Sequence, residues 1–334
     1  MGKMRLKRII PAAVALLAVL VAAGCGSSDS GGSGSGAPLS LVAYSTPQEA
    51  YEKVIPAFQK TDAGKGAQFR QSYGASGDQA RAVLAGLPAD VVAFSLEPDM
   101  AKLVDAGKVA PNWAANSTKG IVTNSVVVLV TRKGNPKNIR TWADIVKPGV
   151  QIVTPNPQTS GGAKWNIMAA YGANSGDGKN SAAGQAYLKR LYGNVVVQDK
   201  SAREALQTFD SGKGDVLISY ENEAITAQKK GLDVDYVVPD QTLLIENPIA
   251  ATKTSKNATA AKAFVTFTKT PQAQKLFAQS GYRPVDPSLV DKGQFPTPPG
   301  LFTIASLGGW TQVNKQFFDE KTGIVTKIQQ QAGV

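Results

Sequence analysis

The stretch Thr154-Pro-Asn-Pro-Gln-Thr-Ser-Gly-Gly-Ala-Lys-Trp-Asn166 brings together residue types that hold an anion without a countercharge. An apolar run at 150–153 reads as a short buried strand and two prolines stop it. Ser160, Gly161 and Gly162 then open a helical pattern over 163–171. A Ser-Gly-Gly turn at a helix start offers unpaired backbone N–H groups, one hydroxyl and the positive end of the helix dipole. The same signature also serves an ordinary N-cap with flexible glycines, so the stretch alone leaves both readings open.

Two absences close most other chemistry. The chain has no histidine, which excludes Ser–His and Cys–His nucleophile pairs and His-ligated metals. Its one cysteine, Cys25, allows neither an intrachain disulfide nor a cysteine zinc cluster. Carboxylate-only hydrolysis and lysine chemistry remain, with Lys164 the candidate for the latter or else a surface or lobe-contact lysine. The reading calls for no metal, no cofactor and no enzyme. The formal charge of +11 includes Lys3, Arg5, Lys7 and Arg8 ahead of an apolar run; without them 32 basic and 25 acidic residues give +7. That excess is scattered, giving little support to nucleic-acid binding. A mildly cationic surface suits an anionic ligand or a membrane surface and decides neither.

The elements that must position the turn follow from length and pattern. With 334 residues, 43% of them hydrophobic and 18% charged, the chain is long enough for two lobes of an ordinary globular protein. Residues 1–24 read as a secretory signal, whose apolar run from Ile9 to Ala23 is too short to span a bilayer comfortably. The run ends in Val21-Ala-Ala-Gly-Cys25, which resembles a bacterial lipobox with Ala22 where leucine is usual. The alternative is a signal cut elsewhere and an unmodified cysteine. Residues 26–37 are almost wholly Gly and Ser, a flexible tether within the segment 25–38. The expectation is an exported protein held at the outer face of the cell membrane through lipidated Cys25.

From Leu39 onward, strands at 39–44, 68–73 and 90–94 alternate with helices at 47–59, 78–85 and 98–106. That alternation predicts an α/β fold with a mainly parallel sheet. Thr46 with Glu49 and Ser201 with Glu204 read as capping boxes. Further strands are expected at 124–131, 194–197, 215–220 and 233–238, and terminal helices at 309–318 and 324–330. Crossings near 121–126 and 238–245 give one lobe from 39–122 with 245–334, and a second from 123–244. Small or hydroxyl residues recur at strand–helix junctions: Ser45, Ser76, Ser160–Gly162 and Ser201–Ala202. In an open parallel sheet such junctions lie at the carboxyl ends of strands, where ligands bind. Helices need caps everywhere, so the pattern alone does not make these junctions converge.

From Leu41 to the last helices the chain resembles the sulfate-binding proteins of bacterial ABC importers. The resemblance rests on Tyr73-Gly-Ala-Ser-Gly-Asp-Gln-Ala80, Ala89-Asp-Val-Val92 and Val130-Thr-Arg-Lys-Gly-Asn-Pro136. It extends through Thr154-Pro-Asn-Pro157, Ser160-Gly-Gly-Ala-Lys-Trp-Asn166, Gly214-Asp-Val-Leu-Ile-Ser-Tyr-Glu-Asn-Glu223, Tyr282-Arg-Pro284 and Gly308-Gly-Trp310. It implies the two-lobe type II periplasmic binding fold, a monomer that clamps dehydrated sulfate and hands it to a membrane permease with cytoplasmic ATPases. Carried over by position, the backbone donors fall on Ser45, Ser76, Gly161, Gly162 and Ala202, and the hydroxyl donor on Ser160. Tyr220 stands where the family has an indole, and Ser45 where it often has aspartate. A phenol donates one hydrogen bond but also accepts; the alternative for Tyr220 is a packing aromatic. Asp78 and Glu221, close to these positions, are expected to point away. Thiosulfate-preferring or molybdate-like oxyanion binding is the alternative, and a secreted enzyme or adhesin on the same fold the distant one.

Overall fold

The computed structural model describes residues 38–291 and 293–333; the signal segment, Cys25 and the Gly/Ser stretch of the tether lie outside them. The first part of the chain runs β1 (Leu39–Tyr44), α1 (Gln48–Gln59), β2 (Phe69–Gly74), α2 (Ser76–Leu84), β3 (Val91–Ala93) and α3 (Glu97–Asp105). It continues through β4 (Ile121–Arg132), α4 (Trp142–Ile145), β5 (Ile152–Pro155), α5 (Gly161–Ser175), α6 (Ser181–Gly193), β6 (Val195–Asp199) and α7 (Ala202–Asp210). Then come β7 (Val216–Tyr220), α8 (Glu221–Lys229), β8 (Val234–Val237), β9 (Gln241–Ala251), α9 (Ala258–Phe267) and α10 (Pro271–Gln279). The last elements are β10 (Gly300–Phe302), α11 (Gly309–Phe317) and α12 (Ile324–Ala332).

The strands order as β2-β1-β3-β9-β4-β7-β5-β6, with β8 on β4 and β10 on β9. β1 pairs in parallel with β2 and β3, and β5 in parallel with β6 and β7. Each of these strands is followed by a helix, so parallel neighbours are the expected result. The two sets are joined by β4 and β9, which pair with each other antiparallel over Ile121–Val126 and Leu244–Pro248. β4 then continues beside β7 and β8, while β9 continues beside β3, again antiparallel. One long strand leaves the first set and another returns, so they must run in opposite directions. The result is two α/β lobes with a cleft between the carboxyl ends of their strands.

Packing follows this division. Tyr51, Phe58, Phe264 and Phe277 from α1, α9 and α10 cover the β1 side, with Tyr51 edge-on to Phe277 at 5.6 Å between ring centroids. Across the cleft, α5 is buried on nearly every face, as a helix apolar all round should be. Trp165, Met168 and Tyr171 share one hydrophobic cluster with Tyr187, Leu191 and Tyr192 of α6. Residues the sequence reading groups with the first lobe, Trp310, Val313, Phe317, Val325 and Ile328, share that α5–α6 cluster. α11 also touches α3, so the C-terminal segment runs beside both sets of strands.

Two local expectations change and a third, the Ser201 cap, holds. The Thr46–Glu49 capping box does not form: Pro47 is the N-cap, and Thr46 Oγ1 sits 2.9 Å from the Tyr282 hydroxyl. Glu49 is drawn instead to Arg203 and Lys230, a long-range charge pairing that outweighs a local cap. Ser201 does cap α7, accepting the Glu204 N–H at 3.2 Å. Glu221-Asn-Glu223, directly after the strand expected at 215–220, begins a helix that the sequence pattern does not announce, α8. Both carboxylates lie in its first turn, where the helix dipole favours them, and Ala224 and Ala227 face the core.

Candidate functional site

The start of α5 is built by its cap. Ser160 has an extended backbone and its Oγ accepts the Ala163 N–H at 3.3 Å. The hydroxyl therefore uses a lone pair on the helix and keeps its proton for something else. The N–H of Ser160 is engaged with the Asn156 carbonyl at 2.8 Å, but Gly161 and Gly162 occupy the first helical positions, whose N–H groups have no intrahelical acceptor. A methyl built on Gly162 would sit 3.3 Å from Ser160 Oγ, 3.6 Å from Ala202 Cβ and 3.6 Å from Tyr220 Cε1. Four of the residues expected to form the site thus meet around one point. On Gly161 the same carbon would fall 1.8 Å from Leu96 Cδ2 and 2.9 Å from Ser95 Oγ, so the first turn of α5 presses against the start of α3.

The facing wall comes from the first lobe. Ser76 opens α2; its hydroxyl donates to Asp99 Oδ2 at 2.7 Å and accepts the Ser95 N–H at 3.0 Å, which leaves its backbone N–H as the available donor. The next residue, Gly77, donates its N–H to the Thr159 carbonyl at 2.9 Å, tying α2 to the turn before α5. Ala202 is the first residue of α7. Ser45, just past β1, is joined less directly: the carbonyl of Thr46 accepts from Arg203 Nη2 of α7 at 3.4 Å. Tyr220 ends β7 with its hydroxyl 2.6 Å from Ser95 Oγ. Burial pushes the Tyr220 phenol well above its ordinary pKa, so it keeps its proton. All seven positions are buried, with Tyr220 only 1% exposed.

None of those seven side chains carries charge, and the charged groups nearby are committed elsewhere. Asp78 pairs with Arg81 at the surface. Glu221 accepts from Arg283 at 2.6 and 2.9 Å; burial raises its pKa and the guanidinium opposes the rise. Arg203 reaches from α7 to α1, bonding Glu49 at 2.5 and 2.7 Å, and also holds the buried Glu223 at 2.9 Å. Lys164 turns toward α11, with Nζ 3.1 Å from Asn314 Oδ1 and 5.0 Å from the Phe318 ring. Burial lowers its pKa to about 8. What the arrangement offers is a set of donors without a nucleophile, base or cation among them.

Ser95 is the member that sequence reasoning missed. Phe94-Ser95-Leu96 reads only as the end of a strand, and nothing local marks the hydroxyl. In the structure its carbonyl accepts from the Trp165 indole and from Asn247 Nδ2, each at 2.9 Å, so it locks together α5, β9 and the α2 start.

A two-lobed mixed sheet with donors gathered between its halves is the architecture of proteins that clamp small solutes. Residues 39–283 match the family model for bacterial extracellular solute-binding proteins, and the chain belongs to that family. A sulfate-binding protein of Synechococcus elongatus is 45% identical over 333 residues, covering 96% of this chain and 95% of the relative. Among solved structures, the sulfate-binding protein SubI from Mycobacterium tuberculosis H37Rv is 51% identical with a TM-score of 0.83, covering 84% of this chain and 99% of that one. A thiosulfate-binding protein of Escherichia coli is more distant, at 34% identity over 82% of this chain and 86% of the relative.

Proposed function

We propose that this chain is an extracytoplasmic receptor that captures sulfate with the N–H groups of Ser45, Ser76, Gly161, Gly162 and Ala202, the Ser160 hydroxyl and the Tyr220 phenol. The observation that carries the reading is the meeting of Ser160, Gly162, Ala202 and Tyr220 at one buried point whose nearest atoms belong to uncharged side chains. Sulfate at neutral pH has no proton, so it needs donors and offers none. Hydrogen phosphate would bring a proton that requires an acceptor, and an unpaired buried group costs about 1–3 kcal/mol. Asp78, Glu221 and Glu223 are each paired with an arginine, and the buried Asp99 with Lys102 and the Ser76 hydroxyl, so all four are poor candidates for that acceptor.

Energetically the scheme closes. Desolvating a dianion costs several kcal/mol per charge, and about seven charge-assisted hydrogen bonds at roughly 1.5–3 kcal/mol each offset it. Micromolar affinity needs a surplus of only about 8 kcal/mol. The higher identity to sulfate-binding relatives than to the thiosulfate-binding one favours sulfate as the preferred ion. The lobes in this reading divide within β4 and β9, and closure around the ion presents the surface that docks a membrane permease with cytoplasmic ATPases. The receptor acts as a monomer without cofactor or catalysis, anchored outside the cell through lipid on Cys25.

Calorimetric titration with sulfate, thiosulfate, molybdate and phosphate tests this. Sulfate is expected to bind most tightly, and phosphate in large excess to fail as a competitor at pH 8. Tight phosphate binding, or release of sulfate from sulfate esters by the purified protein, would overturn the reading.

A further inference from the structure

Ser95 is fixed by its backbone on three sides. Its N–H is given to Ser76 Oγ, and its carbonyl receives the Trp165 indole N–H and the Asn247 amide. With only 1% of the residue exposed, the hydroxyl has one freedom left, the rotation that aims its proton. Its partner is the Tyr220 hydroxyl at 2.6 Å, close enough that one of the two protons must lie between the oxygens. Two hydroxyls carry two protons, so one remains for a third group.

The surroundings say which one. The Tyr220 ring edge meets Ser160 and Ala202 around Gly162, whereas Ser95 lies with Leu96 against Gly161. We propose that Ser95 is the positioning residue for Tyr220: it donates to the phenol oxygen and thereby turns the phenol proton toward the bound anion. In the reverse arrangement Tyr220 donates to Ser95, and the phenol offers the ion an oxygen lone pair, repelling an acceptor-only dianion. This rests on the sulfate-capture reading and supplies the part an indole would supply alone, since an indole N–H can only donate. The serine–tyrosine pair thus acts as one donor of fixed direction.

A double-mutant cycle tests it, with calorimetric sulfate titration of the native chain, Ser95→Ala, Tyr220→Phe and the double variant, and melting curves without sulfate. Ser95→Ala keeps all three backbone bonds, and it is expected to weaken sulfate about tenfold, the scale of a lost charge-assisted hydrogen bond. Because Ser95 acts through Tyr220, the double variant should bind no more weakly than Tyr220→Phe alone. Ser95→Cys, similar in shape with a weaker donor, should fall between native and Ser95→Ala. Native affinity in Ser95→Ala or Ser95→Cys, or losses that multiply in the double variant, would refute the positioning role. Failure of the native chain itself to bind sulfate would instead remove the capture reading, and this inference with it.

Discussion

One added carbon at Gly161 separates a site closed by two lobes from a plain helix cap. Gly161 has no left-handed φ, so alanine is compatible with its backbone and retains the N–H. Its methyl would lie 1.8 Å from Leu96 Cδ2 and 2.9 Å from Ser95 Cβ and Oγ. Leu96 is 1% exposed and Ser95 is held by three backbone hydrogen bonds, so neither can step aside cheaply. Overpacking of this kind costs about 1–3 kcal/mol. α3 follows β3 in one half of the sheet and α5 follows β5 in the other, so the cost falls on the closed clamp and not on either half alone. Binding coupled to closure then weakens by the same amount, roughly 5–150-fold in Kd. Calorimetry with sulfate measures the loss, and melting of the sulfate-free protein should move by little. A Kd within about threefold of native would refute the argument, because the contact would then be irrelevant to binding.

Other perturbations follow from the charged groups. Replacing Arg203 by Met leaves Glu223 buried and uncompensated, a loss of about 3–5 kcal/mol that chemical denaturation would detect; unchanged stability would mean Glu223 takes up a proton at little cost. For Glu49, burial works to raise the carboxyl, but the Arg203 and Lys230 hydrogen bonds prevail and hold it at about 2. Its stabilising contribution is therefore full above the ordinary value of 4.5 and is lost as pH falls through about 2, so the deficit of Glu49→Gln should shrink steadily as melting is followed from pH 6 to pH 2. Lys164→Gln is expected to leave sulfate affinity within about threefold, since the ammonium bonds Asn314; a larger loss would make it a countercharge to the ion.

How much of this was legible beforehand depends on whether the deciding interaction is local. Ser160 and Ser201 were readable as caps because a cap is made within four residues, and both hydroxyls do accept from the helix they start. Thr46 and Glu49 carry the same local signature, yet partners more than 150 residues away claim them. α8 escaped notice because its buried face is made of small alanines and its first turn of acids, a pattern without the bulky apolar spacing that announces a helix. Ser95 was invisible altogether, since its four partners come from four different elements.

The residues by themselves determined the kind of chemistry. A chain with no histidine and one cysteine loses His- and Cys-based catalysis and metal ligation, and its several Ser- or Gly-led helix starts offer hydrogen-bond donors instead. Only the tertiary structure brought two of those helix starts, Gly162 of α5 and Ala202 of α7, together with Ser160 and Tyr220. A backbone N–H has no residue letter, so the sequence records that such groups exist and says nothing about where they aim. Their placement depends on strand order: β4 and β9 run antiparallel between two parallel sets and join them into one sheet. The same arrangement brings Tyr220 onto Ser95, two hydroxyls 125 residues apart whose bond no local pattern encodes.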